Sequence, residues 1–167
     1  MQQYAGIKQI LLLLLLLLVT SSFFLFVIIP AVKSSSGGYG LIDTMFFASE
    51  QTYRETLSAY TSKTRMLHYL STSLDMVLPL IYGGLIILTT LRYCQNFRLL
   101  KPAVAICISA VLLDYLENAG ILFSISHYHN TGGYLIKYLQ VTTTCKFILL
   151  GFSLVFLIIC ICRKGKN

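Results

Sequence analysis

Four stretches of the chain are apolar for about twenty residues at a time, the length a helix needs to cross the hydrocarbon of a bilayer. They run over residues 10–30, 71–92, 102–124 and 139–162. The first opens on eight consecutive leucines and closes at Pro30. The second ends at Arg92, the third carries Pro102 in its first turn, where a missing N–H is tolerated, and the fourth is stopped by "RKGKN". The pattern predicts an all-α fold: a polytopic membrane protein with a four-transmembrane-helix bundle, forming one membrane domain over residues 1–167. Lys8 ahead of the first stretch also fits a secretory signal. Its apolar run exceeds the usual core of about 7–15 residues and lacks a clear small-residue cleavage pattern, which favours a retained anchor.

The long outer loop, residues 31–70, begins with the Ser/Gly-rich "KSSSGGYG", a flexible entry. From Phe46 onward Phe46, Tyr53, Leu57 and Tyr60 share a helical face, with Glu50, Arg54 and Lys63 elsewhere. That spacing predicts an amphipathic helix lying on the membrane surface or capping the bundle.

Inside the spans the polar residues are ordered. At about 100° per residue, Asp114, Glu117 and Asn118 project from one side of the third span, with Cys107, Ala110 and Ile121. The second span repeats the arrangement with His68, Ser71, Thr72, Asp75, Pro79 and Tyr82. The fourth does so with Thr142, Thr143, Lys146 and Ser153. Three polar stripes imply a shared interior. Glu117 lies seven residues before Ser124, and Lys146 seven residues after Leu139, so both are expected about 10 Å from the same surface. Asp75 is a turn shallower and Asp114 a turn deeper. The expected picture is a polar pocket in the outer half of the bilayer.

Composition agrees with the pattern: 56% of residues are hydrophobic and 11% charged, against about 25% charged in soluble domains. The net charge of +7 comes from residues that flank apolar runs, so it orients a membrane protein; nucleic-acid binding, which needs a clustered basic face, is excluded. Lys8, Arg92, Arg98, Lys101, Arg163, Lys164 and Lys166 would all face the cytoplasm if both termini do, whereas the loop between spans three and four holds only Lys137. Both termini are therefore expected in the cytoplasm. None of the five cysteines falls in a segment placed outside, so no disulfide framework is expected. Cys94, Cys160 and Cys162 lie at membrane edges where acylation is feasible, but packing inside a helix is the simpler role. His127 and His129 in "HYHN" are too few for a zinc site, and no metal or cofactor is expected.

Several of these residues fall into a recurring arrangement: "DMVLP" at 75–79 with Arg65 ahead of it, "YGG" at 82–84, "DYLEN" at 114–118 and "TTTCK" at 142–146. In this the chain resembles a group of small four-span membrane proteins, over roughly residues 41–150. The resemblance implies a four-helix membrane fold and no particular activity.

An ionised side chain in hydrocarbon costs about 2.5–3.5 kcal/mol or more, so such groups face the bundle interior and pair. Lys146 is expected to bridge Asp114 and Glu117, with Asn118 tying helices together. Three acids against one lysine leave two negative charges, and Arg65 at the rim leaves one. A purely structural network has little use for an unbalanced acid; a functional site often has one. The first reading is therefore a pocket that binds or modifies a membrane lipid or amine-bearing amphiphile. Asp114 and Glu117 would be the acid and base, with Lys146 stabilising negative charge. Asp75, Asn118, Arg65, His68, Tyr82 and Thr143 would hold the ligand. His68, at a helix start, is otherwise expected at the surface. A proton or small-cation transport component is the alternative, with a structural membrane subunit the third. Gly83-Gly84 and Gly151 would permit close helix contacts, within the bundle or between copies in a homo-oligomer or larger complex.

Overall fold

A computed structural model describes residues 6–45, 49–94, 97–128 and 131–164. Among these, four helical segments are long and apolar enough to cross a membrane: Ile7–Ser35, Ser62–Tyr93, Arg98–Ser126 and Gly133–Cys162. This is the all-α, multi-pass bundle that the apolar pattern predicts. Each segment overruns its expected limits, because a helix satisfies its own backbone and continues past the apolar run into the interface.

The first segment does not stop at Pro30. Helix α1 (Ile7–Phe23) passes through a wide π turn at Phe24–Ile28 into α2 (Ile29–Ser35), with Pro30 in the first turn of α2. Pro30 cannot donate to the carbonyl four residues back, and the Ile29 N–H reaches five residues back to Phe24 instead. The leucines of α1 are largely exposed, as a lipid-facing helix requires, and α1 packs on the helix formed by Leu78–Tyr93.

Beyond Ser36 the Ser/Gly stretch forms a defined turn. Gly37 and Gly38 adopt φ of 72° and 105°, a region open to glycine, and the Gly38 N–H closes on the Lys33 carbonyl at 2.9 Å. A short 3₁₀ turn (Ile42–Thr44) follows, then α3 (Glu50–Ala59), whose first turn is capped by Ser49 accepting from the Thr52 N–H at 3.1 Å. This is the amphipathic helix read from the sequence, and it caps the bundle: Tyr53 and Leu57 are buried against Ile121, Ile125, Ile136 and Leu139. Tyr60 joins that core and donates to the Gly40 carbonyl at 2.6 Å. Phe46 lies outside the described residues.

The second span is two helices, α4 (Ser62–Asp75) and α5 (Leu78–Tyr93), separated at Met76 and Val77. Pro79 is the cause, since it offers no N–H to the Asp75 carbonyl and favours a first-turn position. Helix α6 (Phe97–Ser126) and helix α7 (Gly133–Lys164) complete the chain, with α6 packed on α4, α5 and α7. The antiparallel order puts both ends of the chain at the membrane face opposite α3.

Gly83 and Gly120 set the close approaches. A Cβ on Gly83 would stand 2.6 Å from Val111 Cγ2 on α6, and one on Gly120 would stand 2.7 Å from Leu139 Cδ2 on α7. Gly151 has nothing within 4 Å of a built Cβ in this chain. The branched Val111 has little freedom to move aside. Gly83→Ala is therefore expected to lower stability by about 1–3 kcal/mol through overpacking. Gly151→Ala is expected to raise it by up to about 1 kcal/mol through helix propensity. Thermal unfolding of both variants in detergent micelles measures the contrast; equal effects would contradict this packing.

Candidate functional site

The site assembles around α6. Three polar residues within five positions on one face of that helix reach three neighbouring helices. Asp114 Oδ2 accepts from the Tyr82 hydroxyl of α5 at 2.7 Å, and Asp114 Oδ1 accepts from Lys146 Nζ of α7 at 3.2 Å. Glu117 Oε1 accepts from the Thr143 hydroxyl at 2.5 Å, and its Oε2 is in direct ion-pair contact with Lys146. Asn118 Nδ2 donates to Asp75 Oδ2, at the end of α4, at 3.1 Å. Glu117, Asn118 and Asp114 are 1%, 2% and 6% exposed, so these groups exchange hydration almost entirely for one another. Asp75 is only half-buried.

The expected bridge of Lys146 between Asp114 and Glu117 is present in the geometry. Asp114 lies twelve residues from the end of α6 at Ser126, and Lys146 thirteen from the start of α7 at Gly133. At the helical rise these are about 18 and 20 Å, near the midpoints of both helices.

Seven of the nine candidate residues thus meet: Asp75, Tyr82, Asp114, Glu117, Asn118, Thr143 and Lys146. Arg65 does not join them. Its guanidinium donates to the Tyr60 carbonyl at 2.7 Å and lies 4.0 Å over the Tyr128 ring, a cation–π stack that fastens α4 to the end of α6. His68 is not at the surface as expected. It is fully buried, meets the Tyr60 ring edge-on at 5.5 Å, and neither ring nitrogen makes a hydrogen bond.

A fourth acid arrives from the loop. Asp43, in the 3₁₀ turn, lines a cavity of about 10 Å³ together with Tyr53, Glu117, Gln140 and Thr143. Its Oδ1 is buried without a hydrogen-bond partner. Burial first, then the negative charges of Asp75 and Glu117, push the Asp43 carboxyl up to about 7 against the opposing pull of Lys146. Burial also holds the Tyr53 and Tyr60 phenols above their ordinary range. Nothing local in the sequence marks Asp43, since its neighbours at the site are more than thirty positions away or on another element.

The remaining polar groups point elsewhere. His127 stacks on Phe123 at 4.3 Å, and His129 lies outside the described residues. No disulfide links the cysteines, and Cys107 is buried with its thiol 3.7 Å from the Gly83 carbonyl. Among the described residues no three His, Cys, Asp or Glu side chains gather as a metal site. No protein-family model, curated protein or solved structure matches the chain.

Two expectations follow from this geometry. Lys146→Met leaves Asp114 and Glu117 without their cation, which is expected to destabilise the bundle by about 3–5 kcal/mol near neutral pH. Acidification, or a second change of Glu117→Gln, is expected to restore part of that loss. Thermal unfolding in micelles at several pH values reads it, and a loss that acid leaves untouched would count against a charge origin. The second concerns Asp43, whose ordinary value is 3.8. Between about 4 and 7 the folded chain keeps a proton there that the unfolded chain has released. Asp43 therefore contributes stability at low pH that is lost as pH rises through that window, and nothing changes above it. The melting temperature of Asp43→Asn is expected to depend less steeply on pH than that of the unaltered chain; parallel profiles would refute the assignment.

Proposed function

We propose that the chain is an integral membrane component of proton or small-cation transport, with the α6-centred cluster as its proton-binding site. The observation that carries this reading is the charge inventory. Asp43, Asp75, Asp114 and Glu117 surround or adjoin a single ammonium, Lys146. Charge neutrality with every carboxyl ionised would need three more positive charges, and protons are the cations that fit. The space beside Glu117 is about 10 Å³, enough for one water molecule. Ligand pockets usually have a few hundred Å³, so a lipid head group suits so small a space less well. Buried carboxyls with a lysine are also the equipment of intramembrane proton relays.

Access is from the α3 face. Toward the opposite face, Thr89 and Thr90 of α5 donate to the Leu85 and Ile86 carbonyls of their own helix and present no relay. The basic residues at the terminal side support an orientation with both termini in the cytoplasm, so the site would take protons from the non-cytoplasmic side.

An amine-bearing amphiphile is a second reading. It is favoured by the half-buried Asp75 at the break between α4 and α5, an acid open enough to meet a cationic head group.

Glu117→Gln tests the first reading, because the amide keeps the shape of the acid and can still accept from Thr143. In lipid nanodiscs, the unaltered chain is expected to take up protons after a downward pH step, seen as a protonated-carboxyl infrared band that shifts in D₂O. Glu117→Gln is expected to fold with a lowered melting temperature, because the ion pair with Lys146 is lost, and to lose that band. A variant that does not fold would favour a structural network, and an unchanged band would remove Glu117 from the site.

A further inference from the structure

The cavity beside Glu117 bears on how a proton reaches the cluster, and the inference drawn from it rests on the proton-binding reading above. Its walls, around a space of about 10 Å³, carry both polar and apolar side chains. Asp43 Oδ1 is buried there with no hydrogen-bond partner. The Tyr53 side chain, 2% exposed, also lines the space, and its hydroxyl makes no hydrogen bond of normal geometry. Ser124 is a neighbour of that hydroxyl but donates its own proton to the Gly120 carbonyl at 2.9 Å. Two buried, unpartnered oxygens on one water-sized space are each unfavourable by about 1–3 kcal/mol, and one water would satisfy both. The lining sets Asp43, Tyr53, Glu117, Gln140 and Thr143 beside apolar Ile42, Met45, Ile121 and Leu139, so a water there would have polar partners on part of its wall.

Position adds direction. Asp43 is half-buried as a residue, its Oδ1 is buried, and it belongs to the loop that lies with α3 over one end of the bundle. Glu117 lies across the same space and is 1% exposed. The charged and titratable groups bearing on Asp43 are Asp75 of α4, Glu117 of α6, Lys146 of α7, and the phenols of Tyr53 and Tyr60.

From this arrangement we infer that the cavity holds one ordered water and that Asp43 is the entry carboxyl, passing protons through that water to Glu117. The step balances simply. Protonated Asp43 gives its proton to the water while the water gives one of its own to the Glu117 carboxylate. Asp43 is left ionised, Glu117 neutral and the water unchanged; Asp43 is then reprotonated from the α3 face. Tyr53 holds the water and carries no net charge in the transfer. Lys146 keeps the second oxygen of Glu117, so the bridge persists as the proton arrives.

An entry group alters how fast Glu117 is protonated and leaves the final extent alone, which a packing role would not do. The test times the infrared band absent from Glu117→Gln, after a downward pH step on the full chain in nanodiscs. Asp43→Asn is expected to show the same final amplitude with at least a tenfold slower rise. Asp43→Ala is expected to be slow too, and to be accelerated by added formic acid, a small proton carrier able to enter the vacated space. An unchanged rate in folded Asp43→Asn overturns the inference, as does slowing in Asp43→Ala that formic acid does not relieve. Should Asp43→Asn not fold, Tyr53→Phe removes the other unpartnered group, and a rate equal to that of the unaltered chain would overturn the relay. Absence of any Glu117 band in the unaltered chain would instead defeat the proton-binding reading itself, and the relay with it.

Discussion

The ammonium of Lys146, placed between Asp114 and Glu117 near the middle of two long helices, is the interaction on which the rest of the bundle depends. In hydrocarbon there is no water to screen an isolated charge, and side chains that would find solvent in a soluble protein must find one another. The pairing fixes more than two residues. Asp114 is shared with Tyr82, Glu117 with Thr143, and the next residue, Asn118, takes Asp75. One face of α6 is thereby joined to α4, α5 and α7 at a single level, while lipid-facing leucines elsewhere add little selectivity between neighbours.

The glycines belong to the same arrangement. Polar contacts of 2.5–3.2 Å between helices require the helix backbones to come close, and Gly83 and Gly120 remove the side chains that would hold them apart. Small residues on α6 and its neighbours and charged residues one or two turns away are thus parts of one design: the first permits the approach, the second gives it an energetic direction.

Much of this is legible in the sequence, for a physical reason. Lipid imposes apolar runs of fixed length and forces ionisable residues inward, so the four spans and the shared face of Asp114, Glu117 and Asn118 follow from spacing alone. The failures have physical reasons as well. Arg65 is read as a rim charge of the site because charge was the only criterion; aromatic stacking on Tyr128 satisfies it elsewhere. His68 is buried against Tyr60, a contact made by the long loop folding back, which no local pattern announces. Asp43 reaches the cluster by the same fold-back, so it reads as an ordinary loop acid until the turn at Gly37 and Gly38 is known. Pro30 looks like a stop signal, because spacing rules do not anticipate that a helix in lipid will widen a turn to keep its backbone bonded.

That widened turn has a consequence for how the first span meets the second. A π turn inserts one residue beyond the regular repeat, so the faces above and below Phe24–Ile28 are out of phase. The leucine-rich lower piece lies along α5, and the upper piece, with fully buried Val32, lies along α4. The second span is itself divided between those two helices. A single uninterrupted rod would present one azimuth to both; the phase jump lets one rod serve two partners whose axes do not continue each other.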